Sequence, residues 1–151
     1  MYKEDLLLKA AISGTAAAIL ANLTLYLINL FISGQTINMP QLSVEFFLTI
    51  DNYTLLHKIM GFTWSLVVGG TYAFIYLIIL EKTGWNNLWV KAIIVISGLW
   101  LLAGGFVMRV MEVGQYVRGE PLSVLAFYIA HLFFATYLSY FVSKLSTYVK
   151  P

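Results

Sequence analysis

The 151-residue chain contains no cysteine and few charged residues. The lack of cysteine excludes disulfides, thiolate metal sites, thiol–disulfide exchange and a lipoprotein anchor. Only 11% of the residues are charged, against about 25% in a soluble domain. The formal net charge of +2 is too small, and its charges too scattered, for a nucleic-acid surface. We therefore expect no nucleic-acid partner.

Long apolar stretches make up most of the chain, which is 60% apolar overall. Each stretch exceeds the roughly 20 residues with which a helix crosses a bilayer core of about 30 Å. Backbone groups in hydrocarbon have no water to bond, so stretches of this length must be helical. The sequence therefore predicts an all-α fold, a four-helix transmembrane bundle that forms a single integral membrane domain over 1–151, with spans at about 6–31, 55–80, 88–113 and 122–142.

The distribution of positive charge predicts the orientation of the bundle. Four spans place both termini on one side, together with the loop 81–91. Lys and Arg number six on that side and three on the other. Because cytoplasmic loops carry the excess of Lys and Arg, we expect both termini to be cytoplasmic.

The loop 33–54 is the longest connection and would lie on the outer side. Its stretch 42–50 is apolar but too short to span, so we predict a short helix in the outer interface. Pro40 would supply its start, and Asp51-Asn52 its end. An ordinary connector with exposed apolar residues is the alternative. The remaining loops are short, so spans two, three and four are expected to be sequential antiparallel neighbours.

Small residues recur at four-residue spacing in several spans. In lipid, helices associate by close van der Waals packing, which small residues at this spacing permit. We therefore expect such residues to face other helices. The helix-packing residues predicted in this way are Gly61, Ser65, Gly69, Ala135, Ser139 and Gly14.

Ionisable side chains of the spans concentrate toward the predicted outer end. They form a candidate polar cluster, His131, Arg109, Glu112, His57 and Lys58. An ionisable residue inside a span is costly and is by default a functional-site hypothesis. Arg109 and Glu112 stand three residues apart on one helical face, so we expect them to pair. The structural alternative is that Lys and Arg snorkel to the headgroups and that His131 donates one hydrogen bond to a neighbour.

No motif identifies a catalytic residue or a metal site. The spacings typical of metal-binding histidines and of the serine-hydrolase elbow do not occur, so we assign no catalytic residue and no metal ligand, and expect no enzyme. Haem b between His57 and His131 is the alternative cofactor hypothesis. These histidines differ in depth by about six residues, or roughly 9 Å along the membrane normal, whereas two axial ligands must flank one iron. We therefore expect no cofactor.

One family resemblance rests on layout. The run Leu56–Gly61, the segment Ala73–Tyr76 that closes span two, and the turn Trp85–Lys91 that leads into Leu99-Trp100-Leu101 resemble the YqhR type of small four-helix membrane protein of spore-forming bacteria. The resemblance covers approximately residues 55–142. It implies the helical bundle and no biochemical activity.

Three functional hypotheses follow. The first is a non-enzymatic accessory, assembly or interaction component in the plasma membrane of a prokaryote, surrounded by lipid and bound to its own copies or to other membrane proteins. The second is a solute or proton pathway that an oligomer builds around the outer polar cluster. The third is a redox subunit that holds haem or quinone near His131.

Overall fold

The computed structural model describes residues 5–32, 37–49 and 52–147. This part of the chain is helical and contains no strand. Its elements, in chain order, are α1 (Leu6–Asn29), α2 (Met39–Glu45), α3 (Leu55–Thr83), α4 (Leu88–Trp100), a π-helical segment (Leu101–Val107), α5 (Met108–Val110), α6 (Gln115–Arg118) and α7 (Pro121–Thr147).

Four of these helical stretches are long and apolar enough to cross a membrane, judged by length and composition. They are Leu6–Asn29, Leu55–Thr83, Leu88–Val110 and Pro121–Ser146, and we call them spans one to four. The predicted all-α four-helix fold is thereby confirmed, and the chain is a multi-pass membrane protein. Span three ends at Val110, before the predicted residue 113, because the backbone turns at Glu112 and Gly114, whose φ angles are +56° and +63°.

Helix α1 is the central element of the bundle. It packs along both α3 and α7, while α4 packs mainly against α7 and makes a smaller contact with α3. Spans three and four are therefore close neighbours, as expected from their short connection. Span two lies chiefly against α1 and α2, because glycines on α1 and α3 allow those two helices to approach closely.

Glycines determine the contact between α1 and α3. A Cβ atom added to Gly14 would lie 2.7 Å from the Cα of Gly70 and 2.8 Å from the Cβ of Ala73. A Cβ added to Gly69 would lie 2.6 Å from the Cβ of Ala18. No methyl group fits at such distances, so the small-residue ridges of spans one and two face each other with their backbones in contact.

The end of the bundle that carries the turn 84–87 is densely packed, and we call it the inner half. Tyr76, Leu77, Leu80, Leu138 and Val142 are completely buried there. The Tyr76 hydroxyl donates a hydrogen bond of 2.7 Å to the carbonyl of Leu88. Without this bond the buried hydroxyl would have no partner, which is energetically costly. The opposite end, which carries α2 and the segment 111–120, is called the outer half.

The predicted short helix exists in the first outer loop and starts at Pro40 to within one residue, as predicted, but it ends earlier than predicted. It spans Met39–Glu45 instead of 42–50. The Asn38 side chain accepts a hydrogen bond of 3.4 Å from the backbone of Gln41, and Pro40 lies in the first turn. Asn38 thus acts as the N-cap, just ahead of the start that Pro40 predicts. Ile50 and Asp51, expected near the helix end, lie outside the described residues.

Helix α2 packs onto the bundle. Its residues Leu42 and Val44 are buried, and the helix lies against α3. A Cβ added to Gly61 would lie 2.7 Å from the Cγ2 of Val44. Gly61 therefore provides room for α2, whereas the small-residue spacing predicted that it would pack against another spanning helix.

Candidate functional site

The five residues of the candidate polar cluster occupy different environments. His131 is buried on α7, His57 is half-buried in the first turn of α3, and Lys58, Arg109 and Glu112 are exposed. Among the described residues, no hydrogen bond or ion pair joins any two of these five. Within the candidate polar cluster, the fold therefore places the charged residues at the exposed outer surface, here called the outer rim, and buries His131 alone.

The predicted ion pair between Arg109 and Glu112 does not form. The helix ends at Val110, and Glu112 takes a left-handed backbone conformation with φ of +56°. The i, i+3 relation that would align the two side chains requires both residues to be helical. Glu112 lies beyond the helix end, so that alignment is lost.

His57 has a structural role at the start of α3. Its Nδ1 atom accepts a hydrogen bond of 3.1 Å from the backbone N–H of Thr54, and the Thr54 hydroxyl lies 3.0 Å from the same atom. The His57 ring also stacks on Tyr53, with ring centroids 6.0 Å apart. This reciprocal arrangement is a capping box, with His57 in the place usually taken by Glu or Gln.

His131 is 8% exposed, and one of its two ring nitrogens has a partner. Its Nδ1 lies 2.9 Å from the carbonyl oxygen of Phe127, one turn earlier on α7. Because a carbonyl oxygen only accepts, the proton must be on Nδ1, and Nε2 of the neutral ring carries a lone pair. The Phe127 ring meets the imidazole edge-on at 4.6 Å, and the Trp100 ring lies 6.5 Å away.

A cavity of about 60 Å³ adjoins His131 between α1, α3 and α7, with α2 at its outer end. We call it the His131 cavity. Most of its lining is apolar, as at Ala18, Ala130 and Phe134. The polar side chains that line it come from different elements, and they are Asn22, Ser43, Ser65, Tyr72 and His131.

Asn22 is the polar residue that bridges α1 and α3. Its Nδ2 donates to the carbonyl of Ala18 at 2.8 Å and to the hydroxyl of Ser65 at 3.3 Å. Since the Ala18 carbonyl only accepts, the amide nitrogen must face it, and the Oδ1 atom points elsewhere. That Oδ1 is buried and has no hydrogen-bond partner among the described residues. Asn22 is a site residue that the sequence analysis missed, although an amide inside an apolar span is itself a signal.

A second, larger space opens on the outer half and adjoins the first. This outer groove has a volume of about 410 Å³ and lies between α1, α2 and the start of α3. Asn22 and Met39 line both the groove and the His131 cavity. The groove also exposes the side chain of Asn29, whose Nδ2 donates to the carbonyl of Ile37 at 2.6 Å. Asn22 and Met39 therefore border both spaces.

Glu45 ties the two outer connections together. Its Oε1 accepts from Gln41 at 2.9 Å, and its Oε2 accepts from the backbone N–H of Gly114 at 3.1 Å. Two tyrosines lie beside this carboxylate. Burial, and secondly the negative charge of Glu45, raise the pKa of Tyr53 and that of Tyr116. This carboxylate joins α2 to the turn after span three, and it was absent from the predicted site.

The geometry around His131 also bears on the haem hypothesis. Cofactor and drug-sized ligand sites usually enclose about 300–1,000 Å³, whereas the His131 cavity encloses about 60 Å³. The Nδ1 of His57 is occupied by the helix cap. A porphyrin between these histidines does not fit this arrangement. Within the described residues, no group of three or more His, Cys, Asp or Glu side chains is gathered in one place.

The chemistry available at the His131 cavity is hydrogen bonding. A neutral imidazole carries a lone pair on one nitrogen, and the hydroxyls of Ser43, Ser65 and Tyr72 in the lining can donate or accept. Such a set can bind and orient a small polar molecule. Comparisons of this chain with protein-family models, with curated proteins and with solved structures found no match.

Proposed function

We propose that this chain is a non-enzymatic accessory or assembly component that binds other membrane helices, chiefly through span three. The supporting observation is how little of span three is covered. Only 11% of the residues in its most apolar stretch are buried, against 44% in span four. Large apolar side chains on this span, such as Ile94, Phe106 and Val110, are more than 60% exposed.

Two exposed glycines distinguish this surface from an ordinary lipid-facing one. A Cβ added to Gly98 or to Gly105 would meet nothing within 4 Å. Glycine in a helix costs about 1 kcal/mol relative to alanine, and no contact with the described residues explains either glycine. In membranes, glycine permits a neighbouring helix to approach closely. Gly105 also lies in the π-helical segment Leu101–Val107, a type of irregularity that often occurs at functional sites.

The proposed setting is the plasma membrane of a prokaryote, with both termini in the cytoplasm. The excess of Lys and Arg on the side of the termini supports this orientation. The protein is cysteine-free, so single cysteines at Gly119 and Trp85 can report it. We expect an impermeant thiol reagent to label Gly119→Cys and not Trp85→Cys in intact cells. The reverse pattern would show that the orientation is inverted.

The partner helix is a second copy of the chain or another membrane protein. The test is the size and composition of the complex purified in mild detergent. We expect Gly98→Leu and Gly105→Leu to abolish the complex, seen as loss of the larger species or of the co-purifying protein. The melting temperature of the monomer should be unchanged. Val67→Phe, which adds bulk at an exposed position of span two, is the control and should leave the complex intact. A complex unaffected by both leucines would refute this interface.

A solute or proton pathway built by the oligomer is the second candidate function. The observation that favours it is that the outer groove and the His131 cavity are adjacent and share Asn22 and Met39 in their linings. In one chain this route ends at the buried core of the inner half, so transport would require further copies or a conformational change. Flux into liposomes, compared between the native chain and the variants Arg109→Ala and Asn22→Leu, tests this candidate. Loss of flux in Asn22→Leu would support it.

A further inference from the structure

We propose that the π-helical segment Leu101–Val107 is a conformational switch in span three. In its π form it holds Met108 in the core of the outer half. When it tightens into an α-helix, it withdraws Met108 and brings Gly98 and Gly105 onto one face. The partner-binding role of these glycines rests on the function proposed above, whereas the effect of the segment on Met108 follows from the fold alone.

Span three presents one continuous face to the bundle from Ala92 to Met108. Buried or half-buried residues occupy every fourth position of this face, and they are Ala92, Ile96, Trp100, Gly104 and Met108. In a continuous α-helix, positions four apart drift by about 40°, so Met108 would lie roughly 160° from Ala92. An uninterrupted helix would therefore turn Met108 away from the bundle.

The π-helical segment compensates for this drift. A π-helical turn holds about one residue more than an α-helical turn, because its hydrogen bonds run from i to i+5. The seven-residue segment therefore turns the residues after it back by roughly 100°, the angle of one residue. Met108 consequently faces the bundle, where it is 4% exposed and shares a core cluster with Leu25, Leu42 and Ala126.

The segment itself is lightly held. None of its residues is buried, and no described helix packs along it as α7 packs along α4. π-Helices are rare and occur mostly as single turns within α-helices, so the α-helix is the ordinary geometry for this backbone. The burial of Met108 favours the π form, and this burial is lost when the segment tightens.

The two glycines provide a contact that favours the α-helical form. Gly98 and Gly105 stand seven positions apart, and residues at this spacing in an α-helix lie within about 20° of each other. The π-helical turns between them open this angle to roughly 90°. A partner helix therefore contacts both glycines closely only in the α form. Because a partner shifts a conformational equilibrium by its differential affinity for the two forms, its binding releases Met108.

Deletion of Gly104 tests the switch. Without this residue the segment can close as an α-helix while Met108 stays on the bundle face, and the flanking Ala103 and Gly105 are small enough to take the vacated place. We expect the monomer to melt no lower than the native chain. The deletion leaves Gly98 and Gly105 six positions apart, on different faces, so the glycine-dependent complex should be lost.

Two matched variants serve as controls. Deletion of Val95, which precedes the π-helical segment, separates Ala92 from Ile96 and should lower the melting temperature strongly. Gly104→Ala keeps the length of the span, and its Cβ would make an ordinary contact of 3.8 Å with Trp100, so the fold and the complex should both persist. If the two deletions destabilise the monomer equally, the π-helical segment does not align Met108 with the bundle and the proposal is wrong.

Methyl NMR in lipid bilayers follows the position of Met108. Its Cε and the Cδ2 of Leu42 both lie 2.7 Å from the position that a Cβ would take on Gly114, so the two methyl groups are neighbours. Their cross-peak should be present in the free chain and in the Gly104 deletion, and should weaken in the complex of the native chain.

The remaining outcomes separate the switch from the proposed interface. A cross-peak of full strength in the complex, or a glycine-dependent complex that persists in the Gly104 deletion, would overturn the switch and leave the interface standing. A native complex that does not depend on Gly98 or Gly105 would refute the proposed function and, with it, the coupling to a partner. The stabilities of the two deletions would still decide whether the π-helical segment positions Met108.

Discussion

The inner and outer halves of the bundle are built on different principles. In the inner half, apolar side chains such as Leu77 and Leu138 are completely buried, and the Tyr76 hydroxyl has its partner at 2.7 Å. In the outer half, the buried Oδ1 atoms of Asn22 and Asn29 receive no hydrogen bond from the part of the chain that the structure describes, and spaces of about 60 and 410 Å³ remain. A groove of about 470 Å³ also lies between α1 and α3 from Leu7 to Phe74, and its lining is mostly apolar. The two halves therefore differ in their polar groups, because unsatisfied polar groups beside open space are typical of binding sites.

The contact between α1 and α3 should dominate the stability of the scaffold. Gly69→Ala places a Cβ 2.6 Å from that of Ala18, so the helices must separate, at a cost of about 1–3 kcal/mol. The matched control is the neighbouring Gly70→Ala, whose Cβ would meet only the Cα of Ala11 at 3.9 Å. It should be neutral or slightly stabilising, because alanine favours the helix. Equal shifts of the melting temperature in detergent would contradict the close approach.

In the outer half, the carboxylate of Glu45 should contribute more to stability than any other single side chain. Glu45→Ala removes the hydrogen bonds to Gln41 and to the backbone of Gly114. We expect a smaller loss, about 1 kcal/mol, together with faster proteolysis of the segment 111–120. Glu120→Ala, at an exposed position, should change neither quantity. If protease sensitivity rises equally in both variants, Glu45 does not hold this segment.

The smallest effect is expected on the exposed rim. Arg109 and Glu112 are exposed and separated by the end of the helix, so their alanine variants should have additive effects on the free energy of unfolding. A coupling energy near zero in a double-mutant cycle is the expected result. A coupling well above about 0.5 kcal/mol would show that the two side chains interact after all.

The same contrast explains what the sequence could predict. The four spans and the glycine ridge around Gly69 were predictable, because length, apolarity and four-residue spacing are properties of contiguous sequence. The start of α2 at Met39 depends on Asn38 acting as the cap, and the loss of the Arg109–Glu112 pair depends on one left-handed residue. The pairing of Asn22 with Ser65, 43 positions apart, requires the packed arrangement of α1 and α3, which no local pattern specifies.

Thiol labelling at one position of each half tests the central contrast most directly. Asn22→Cys faces the outer groove, and Leu77→Cys lies in the closed inner core. In membranes containing the otherwise cysteine-free protein, a small polar thiol reagent should modify Asn22→Cys and leave Leu77→Cys intact, with full reaction of both after denaturation. Equal protection of the two cysteines, or faster reaction of Leu77→Cys, would contradict an open outer half above a sealed inner one.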